Sequence, residues 1–215
     1  MAGNTALAGF CRRITSCRSC HADDLSAVID FGEPYISDFV MPDEVGVRAP
    51  LQIVRCQACG LVQTRHTVSP DLLFTRYWYR SGANSSMREA LADVVRDAMA
   101  HVDLQPMDAV LDIGANDGTL LANYPPGIIR VGVDPDLKTS DVDDHATLGY
   151  RDYWPTSRAL RSDLRIHLVD PPKFKIITSV AAGLYHTDDP NAFVAAIKEH
   201  LHPEGLWIAQ FQDAY

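Results

Sequence analysis

Short, almost uniformly apolar runs recur along the second half of the chain and are separated by polar segments. Runs of this length without polar alternation are typical of strands that are buried on both faces. A helix is predicted between the last two runs, at residues 191–201, and the sequence His-Pro-Glu-Gly after it is a stop signal. Buried strands that alternate with helices predict an α/β domain with a parallel sheet and right-handed crossovers. The four runs are residues 109–113, 129–133, 175–179 and 205–210.

The first 84 residues have a different pattern, with many turn formers and only short apolar runs. Residues 25–31, 35–39 and 51–55 predict strands, but none is long enough to build a core alone. An amphipathic helix is predicted at residues 87–101, begun by a capping box of Ser86 and Glu89. These changes of pattern predict three parts: a small domain at 1–84, a connecting helix at 85–104 and a second domain at 105–215.

Composition narrows the class of protein. The 215 residues carry a formal net charge of -9, which disfavours binding to nucleic acid. No run approaches the roughly 18 apolar residues that a membrane helix needs. The first residues lack a charged start followed by an apolar core, so a secretory signal is not predicted. We therefore expect a cytoplasmic protein with neither a membrane nor a nucleic-acid partner.

Four of the five cysteines form two Cys-x-x-Cys pairs, Cys17 with Cys20 and Cys56 with Cys59. Two such turns supply four thiolates in tetrahedral geometry, which predicts a structural zinc site with no position open for water. Gly60 closes the second turn and allows its tight backbone. The alternatives are unrelated buried thiols or a zinc ribbon that binds nucleic acid, and the negative charge argues against the ribbon. Cys11 is expected to be a spare thiol, and His21 to lie outside the first coordination shell.

A glycine-bracketed turn, Gly-Ala-Asn-Asp-Gly at residues 114–118, follows the run at 109–113 and is expected to open a helix. It is not a dinucleotide fingerprint, because Asn116 and Thr119 stand where that motif has glycine. Asp112 and Asp117 flank the turn and would repel a diphosphate, but they suit a ligand with an ammonium and a sulfonium. S-adenosylmethionine has both, and Asp134 after the next strand would hold its ribose hydroxyls. The alternatives are a loop-capping carboxylate for Asp112 and a helix cap for Asp134.

With these motifs in one chain, the sequence resembles the sugar C-methyltransferases of deoxysugar biosynthesis. Members of this family carry an N-terminal zinc domain ahead of a Rossmann-like class I methyltransferase domain and methylate nucleotide-linked keto-sugars. The resemblance covers roughly residues 11–215. It is carried by the two Cys-x-x-Cys pairs and by residues 56–63, 79–82, 87–89, 112–118, 177–179 and 185–190.

The resemblance implies roles for individual residues. Gly114, Asn116, Asp117 and Gly118 would line the methionine part of the donor, and Asp134 would bind its ribose. The remaining cofactor residues would be Asp152 near the adenine, with Ser179 and Ala181 bordering the cofactor after the fourth strand of the sheet.

On the acceptor side, the resemblance places Tyr79 and Ser81 at the mouth of the site. Tyr79 also belongs to an aromatic cluster at residues 77–79 that has an alternative reading as domain-interface packing. His186 follows the fourth strand and is the candidate general base, with a pKa that Asp188 and Asp189 would raise. The alternative for His186 is a solvated loop histidine.

The chain departs from the family at its C-terminal end. It lacks the His-Glu-His motif that supplies the usual base, together with the last two strands of the seven-stranded sheet, so the sheet is expected to be truncated after the fifth strand. Residues 205–210 would then be an exposed apolar edge, which predicts association with a second copy or a partner chain. The sequence supports two functions: methyl transfer from S-adenosylmethionine to a nucleotide-sugar or similar small molecule, or donor binding without turnover.

Overall fold

The computed structural model describes residues 10–36, 40–75, 77–138, 146–156, 172–180 and 183–211. The chain divides into two compact units between Trp78 and Tyr79. The predicted connecting helix belongs to the second unit.

The first unit consists of short antiparallel strands with few buried residues. Three strands form one sheet in the order β2-β3-β4, and two others pair as β1-β5. Only a few apolar side chains are buried here, among them Ile14, Ala49 and Val54. The strands are β1 (Cys11–Arg13), β2 (Leu25–Asp30), β3 (Gln52–Cys56), β4 (Val62–Thr64) and β5 (His66–Val68), followed by the short helix α1 (Pro70–Phe74).

The second unit contains a five-stranded sheet in the order β10-β9-β6-β7-β8, and every neighbouring pair is parallel. The predicted α/β class with a parallel sheet is therefore confirmed. The elements are α2 (Ser85–His101), β6 (Ala109–Ile113), β7 (Ile129–Val133), β8 (Leu148–Tyr150), β9 (Phe174–Ser179), α3 (Pro190–His200) and β10 (Leu201–Ala209).

The core lies on both faces of this sheet because all five residues of its central strand, β6, are buried and four of them are apolar. Leu111 and Ile113 of β6 pack in the cluster that contains Phe193 and Ile197 of α3. Val110 points to the other face and packs in the cluster that contains Val95 of α2. Asp112, on the face of Val110, is the one polar residue in a fully buried strand, and it lies next to the glycine turn.

Several element boundaries differ from the sequence predictions. Asn84, not Ser86, caps α2, because its side chain accepts a hydrogen bond from the Ser86 N–H. Asp189 caps α3 in the same way through the Ala192 N–H, so α3 begins at Pro190. The His-Pro-Glu-Gly stop signal lies inside β10, where the register with β9 shifts between Leu201 and Leu206. Proline fits there because β10 is an edge strand.

The α-helix expected after the glycine turn is replaced by a single 3-10 turn at Leu121–Asn123. The prolines at 125 and 126 and Gly127 follow at once, and they leave no room for further helical turns before β7. In the predicted strand at 35–39, Tyr35 forms only an isolated bridge with Arg48, and residues 37–39 lie outside the described part.

β10 forms one edge of the sheet as described, and association through residues 205–210 stays a prediction. Within the described ranges, no helix is both long and apolar enough to cross a membrane.

Candidate functional site

Four cysteines converge in the first unit, and their geometry fits a tetrahedral metal. The Sγ atoms of Cys17, Cys20, Cys56 and Cys59 all lie within 4.8 Å of one another. Cys17 Sγ is 3.7 Å from Cys59 Sγ, and Cys20 Sγ is 3.5 Å from Cys56 Sγ. Four sulfurs at about 2.3 Å from a zinc ion would be separated by about 3.8 Å, whereas a disulfide needs about 2.0 Å. The thiols therefore fit zinc, with Cys11 and His21 outside the cluster as expected.

The backbone and a glutamine support this cluster. Gly60 has φ of +82°, the left-handed conformation that the tight turn requires. Gln63 donates from Nε2 to Cys17 Sγ at 3.2 Å, while its Oε1 accepts from the Arg18 backbone N–H at 3.1 Å. Burial alone would raise the pKa of the Cys17 thiol, but the N–H groups of Cys20 and Ser19 and the Gln63 amide outweigh it and lower the pKa to about 6.

The glycine turn of the second unit follows β6 directly and is compact. Gly114 and Gly118 have φ of +77° and +76°, and Asn116 between them has +53°. The N–H groups of Gly114 and Ala115 both donate to the Val133 carbonyl, which fixes the turn to the end of β7. The turn thus lies at the carboxyl edge of a parallel sheet, where ligands of such sheets bind.

Two acids lie beside this turn, the buried Asp112 and the partly buried Asp134. The Asp112 side chain is fully buried and accepts a 2.6 Å hydrogen bond from Thr178 Oγ1. Burial and then the charge of Asp134 raise the pKa of Asp112 to about 7, although the Thr178 bond opposes them. Burial likewise raises the pKa of Asp134. Its two carboxylate oxygens accept from the backbone N–H groups of Asn116 at 3.0 Å and Asp136 at 2.8 Å.

The side chains of Asn116 and Asp117 hold another backbone segment. Asn116 Nδ2 donates to the Tyr79 carbonyl at 3.0 Å, and Asn116 Oδ1 accepts from the Ser81 N–H at 3.0 Å. Asp117 Oδ2 accepts from the Gly82 N–H at 2.8 Å, and its Oδ1 accepts from Thr119. Their predicted role against the methionine part of a donor stays a prediction, since the contacts described here run to residues 79–82.

Asp152 and Ser179, two of the three remaining predicted cofactor residues, lie at the same sheet edge. Asp152 follows β8, and its Oδ1 accepts from the Tyr153 N–H. Ser179 ends β9, and its buried hydroxyl accepts from Trp207 Nε1 of β10 at 3.1 Å. Ala181 lies outside the described residues.

Of the two predicted catalytic residues, Tyr79 lies on the segment that Asn116 holds, and His186 lies on the connection from β9 to α3. The His186 side chain remains accessible to solvent, and its ring lies 4.2 Å from that of Tyr185. The expectation that acids would raise its pKa is wrong, because partial burial lowers the pKa of His186. Asp189 instead caps α3.

Sequence reasoning missed three features of the site. Thr178 is the partner of Asp112, and the β6–β9 register pairs the two residues directly. Arg80 forms an ion pair of 3.5 Å with Asp136. The hydroxyl of Tyr124 is buried and has no hydrogen-bond partner among the described residues, and burial and the charge of Asp112 raise its pKa. Each depends on register or loop contacts that no local motif encodes.

Comparisons with known proteins match this arrangement in part. Residues 17–74 match the protein family described as "Putative zinc binding domain". Over 129 residues the chain is 32% identical to the C-methyltransferase NovU of Streptomyces niveus, and this alignment covers 58% of the chain. The alignment covers 31% of that relative, so the chain spans about a third of its length. Both matches agree with the resemblance to C-methyltransferases that carry a zinc-binding domain, and neither description names a sugar.

Two of the solved structures that the comparison returned are described as methyltransferases. One is coclaurine N-methyltransferase bound to N-methylheliamine and SAH, with a TM-score of 0.39 and 14% identity over 65% of this chain and 40% of that one. Another is a SAM-dependent methyltransferase of Geobacter sulfurreducens in complex with S-adenosyl-L-homocysteine, with a TM-score of 0.38 and 18% identity over 62% of this chain and 51% of that one. The assignment of the fold rests on strand order and direction rather than on these similarities.

Proposed function

We propose that the second unit binds S-adenosylmethionine at the glycine turn and serves methyl transfer to a carbon of a small polar acceptor, with a nucleotide-linked keto-sugar as the preferred class. One observation carries this proposal: two acids, the buried Asp112 and the partly buried Asp134, lie beside a left-handed backbone turn at the carboxyl edge of a parallel sheet. A cationic donor would relieve the repulsion between these acids, whereas a diphosphate would add to it.

Asp134 is well suited to hold a ribose diol. Two backbone N–H groups fix its carboxylate, so both oxygens keep one orientation and still have lone pairs for hydroxyl donors. Asp112 lies deeper in the sheet, where its buried charge would stabilise the ammonium or sulfonium of the donor. When bound, S-adenosylmethionine supplies an electrophilic methyl group on a sulfonium.

His186 is the proposed general base. Its lowered pKa favours the neutral imidazole at neutral pH, and its ring is accessible to an acceptor at the sheet edge. A neutral imidazole can remove a proton from the carbon next to a ketone, which leaves a nucleophilic enolate. The C-methyltransferase relative supports carbon as the acceptor atom, and the keto-sugar rests on the resemblance.

The zinc site is proposed to be structural. Four thiols leave no position for water, and the first unit buries few apolar side chains of its own. Zinc would therefore supply folding free energy to this unit and take no part in the transfer.

The test is a methyl-transfer assay with nucleotide-linked keto-sugars and methyl-labelled S-adenosylmethionine, run together with solvent deuterium exchange at the carbon next to the ketone. His186→Gln is expected to lose both transfer and exchange while it retains donor binding. His101→Gln, at the exposed end of α2, is the matched control and should retain both activities. Donor binding without transfer by the native chain would favour a binding subunit, and equal activity in both variants would exclude His186 as the base.

A further inference from the structure

The segment at residues 79–82, here called the strap, lies across the glycine turn and is tied to it at several points. Three hydrogen bonds join its backbone to the side chains of Asn116 and Asp117, with lengths of 2.8–3.0 Å. Arg80 of the strap also pairs with Asp136, and the Asp136 N–H donates to Asp134. The strap is therefore linked both to the turn and to the loop that carries the proposed ribose ligand.

Asn116 makes a two-point clamp in which both ends of its amide are used. Its Nδ2 donates to a carbonyl and its Oδ1 accepts from an N–H two residues later, so the reverse orientation of the amide would place donor against donor. Among side chains of this length that are uncharged in water at neutral pH, the carboxamide of asparagine is the one that offers a donor and an acceptor side by side. This requirement explains why asparagine occupies a backbone position with φ of +53°, which glycine would adopt at lower cost.

Gly82 shows that the strap lies close to the turn. A Cβ added at Gly82 would meet Thr119 Oγ1 at 2.9 Å and Asp117 Oδ2 at 3.2 Å. The Asp117 carboxylate accepts a hydrogen bond from the Gly82 N–H, and the Arg88 side chain of α2 donates one to the Gly82 carbonyl. The backbone polar groups of Gly82 are thus both paired with side chains, one from the turn and one from α2.

We propose that Asn116 and Asp117 are positioning residues that fasten the strap to the glycine turn, so that donor binding at the turn and the placement of Tyr79 on the acceptor side are coupled. The fastening of the strap rests on the three hydrogen bonds described above and does not depend on the proposed function. The coupling rests on the proposed function, because it requires a donor at the turn. Asn116 and Asp117 then act on the acceptor side through the strap, and the donor contacts of the turn come from its backbone.

Asn116→Gly tests the side-chain clamp without changing the backbone turn. Glycine adopts the same left-handed conformation, and the substitution removes the side-chain amide. Met107→Gly is the matched control: Met107 also has a left-handed φ, of +74°, and its side chain is 64% exposed. Hydrogen exchange of the 215-residue chain would be measured at the Ser81 and Gly82 amides, without donor and with S-adenosylhomocysteine.

Without donor, Asn116→Gly is expected to raise the exchange rate of the Ser81 amide by roughly threefold to tenfold, because that amide loses one hydrogen bond. The amides of β6 should keep their protection. Met107→Gly should leave the strap unchanged. With S-adenosylhomocysteine, the native strap should exchange more slowly, and the strap of Asn116→Gly should respond little although the ligand still binds. In the transfer assay, this variant should lose kcat more than affinity for the donor.

Unchanged exchange at Ser81 in Asn116→Gly would overturn the clamp, as would a loss of donor affinity of about a hundredfold without any change in the strap. A native strap that does not respond to bound S-adenosylhomocysteine would overturn the coupling. If the native chain fails to bind S-adenosylhomocysteine at all, the proposed function and the coupling both fail. The donor-free measurement still decides the clamp.

Discussion

At the scale of single residues, the site depends on a few buried polar groups whose partners lie far away in sequence. The motif around the glycine turn identified Asp112 and Asp134 as functional candidates. Their partners could not be predicted, because Thr178 meets Asp112 only through the register of β6 and β9. Asn116 and Asp117 were predicted to face a ligand. Their contacts with residues 79–82 could not be predicted, because these contacts join two loops that lie 35–37 residues apart in sequence.

Asp112 makes stability depend on pH in a direction opposite to that of most carboxylates. Its native pKa of about 7 lies above the unfolded value, so the native state binds the proton more tightly. Its contribution to the free energy of unfolding is therefore present at pH 4 and lost as the pH rises through 7. Asp112→Asn removes this loss and should stabilise the chain at pH 8 by on the order of 2 kcal/mol, with a smaller gain at pH 5.

Urea unfolding of native and variant chains at both pH values measures this difference. Asp97→Asn, at an exposed position of α2, is the control and should show no such dependence. Equal stability of Asp112→Asn and the native chain at pH 8 would contradict a raised pKa at Asp112.

At the scale of elements, the buried strands were the best predicted features. The predicted bounds of β6 and β7 agree with the structure residue by residue, because short apolar runs between turn formers allow little else. The sequence could not reveal that the helix after the glycine turn is reduced to Leu121–Asn123. The sequence also could not reveal that the expected stop signal at residues 202–205 lies within β10. Pairing with β9 outweighs the local preference of Pro203 and Gly205 for a turn.

The two cysteine turns were likewise evident from their spacing, but the glutamine that supports them was not. Gln63 donates to Cys17 Sγ and is held by Arg18, so it orients one thiolate of the proposed zinc site. Removal of an outer partner of a metal ligand typically lowers metal affinity by about tenfold or more. We therefore expect Gln63→Leu to release zinc to a chromogenic chelator about ten times faster than the native chain does.

Gln57→Leu is the matched control, because Gln57 lies within the second cysteine turn and the one side-chain contact described for it is the hydrogen bond to Ser26 Oγ. It should release zinc at the native rate. Equal rates for both variants would show that Gln63 does not support the site.

At the scale of the whole molecule, the sequence predicted a small domain, a connecting helix and a second domain, and the structure has two units, with the helix in the second. Each unit supplies one site: four thiols suited to zinc in the first, and a glycine turn beside a buried and a partly buried acid in the second. The acceptor could not be inferred with the same force, because an acceptor is recognised by side chains from several loops and not by a continuous motif. The alignment covers 31% of the relative's length, so the acceptor of this chain is a proposal.

The central claim is that the glycine turn and its two acids bind S-adenosylmethionine, and calorimetric titration with S-adenosylhomocysteine and S-adenosylmethionine tests it most directly. We expect saturable binding at one site, no binding of NAD, and a loss of affinity of roughly tenfold to a hundredfold in Asp134→Ala, since hydroxyl donors would lose a charged acceptor. Asp93→Ala, which removes an exposed acid of α2, should bind as the native chain does. No binding by a folded, zinc-loaded chain, or equal binding by Asp134→Ala, would contradict the account.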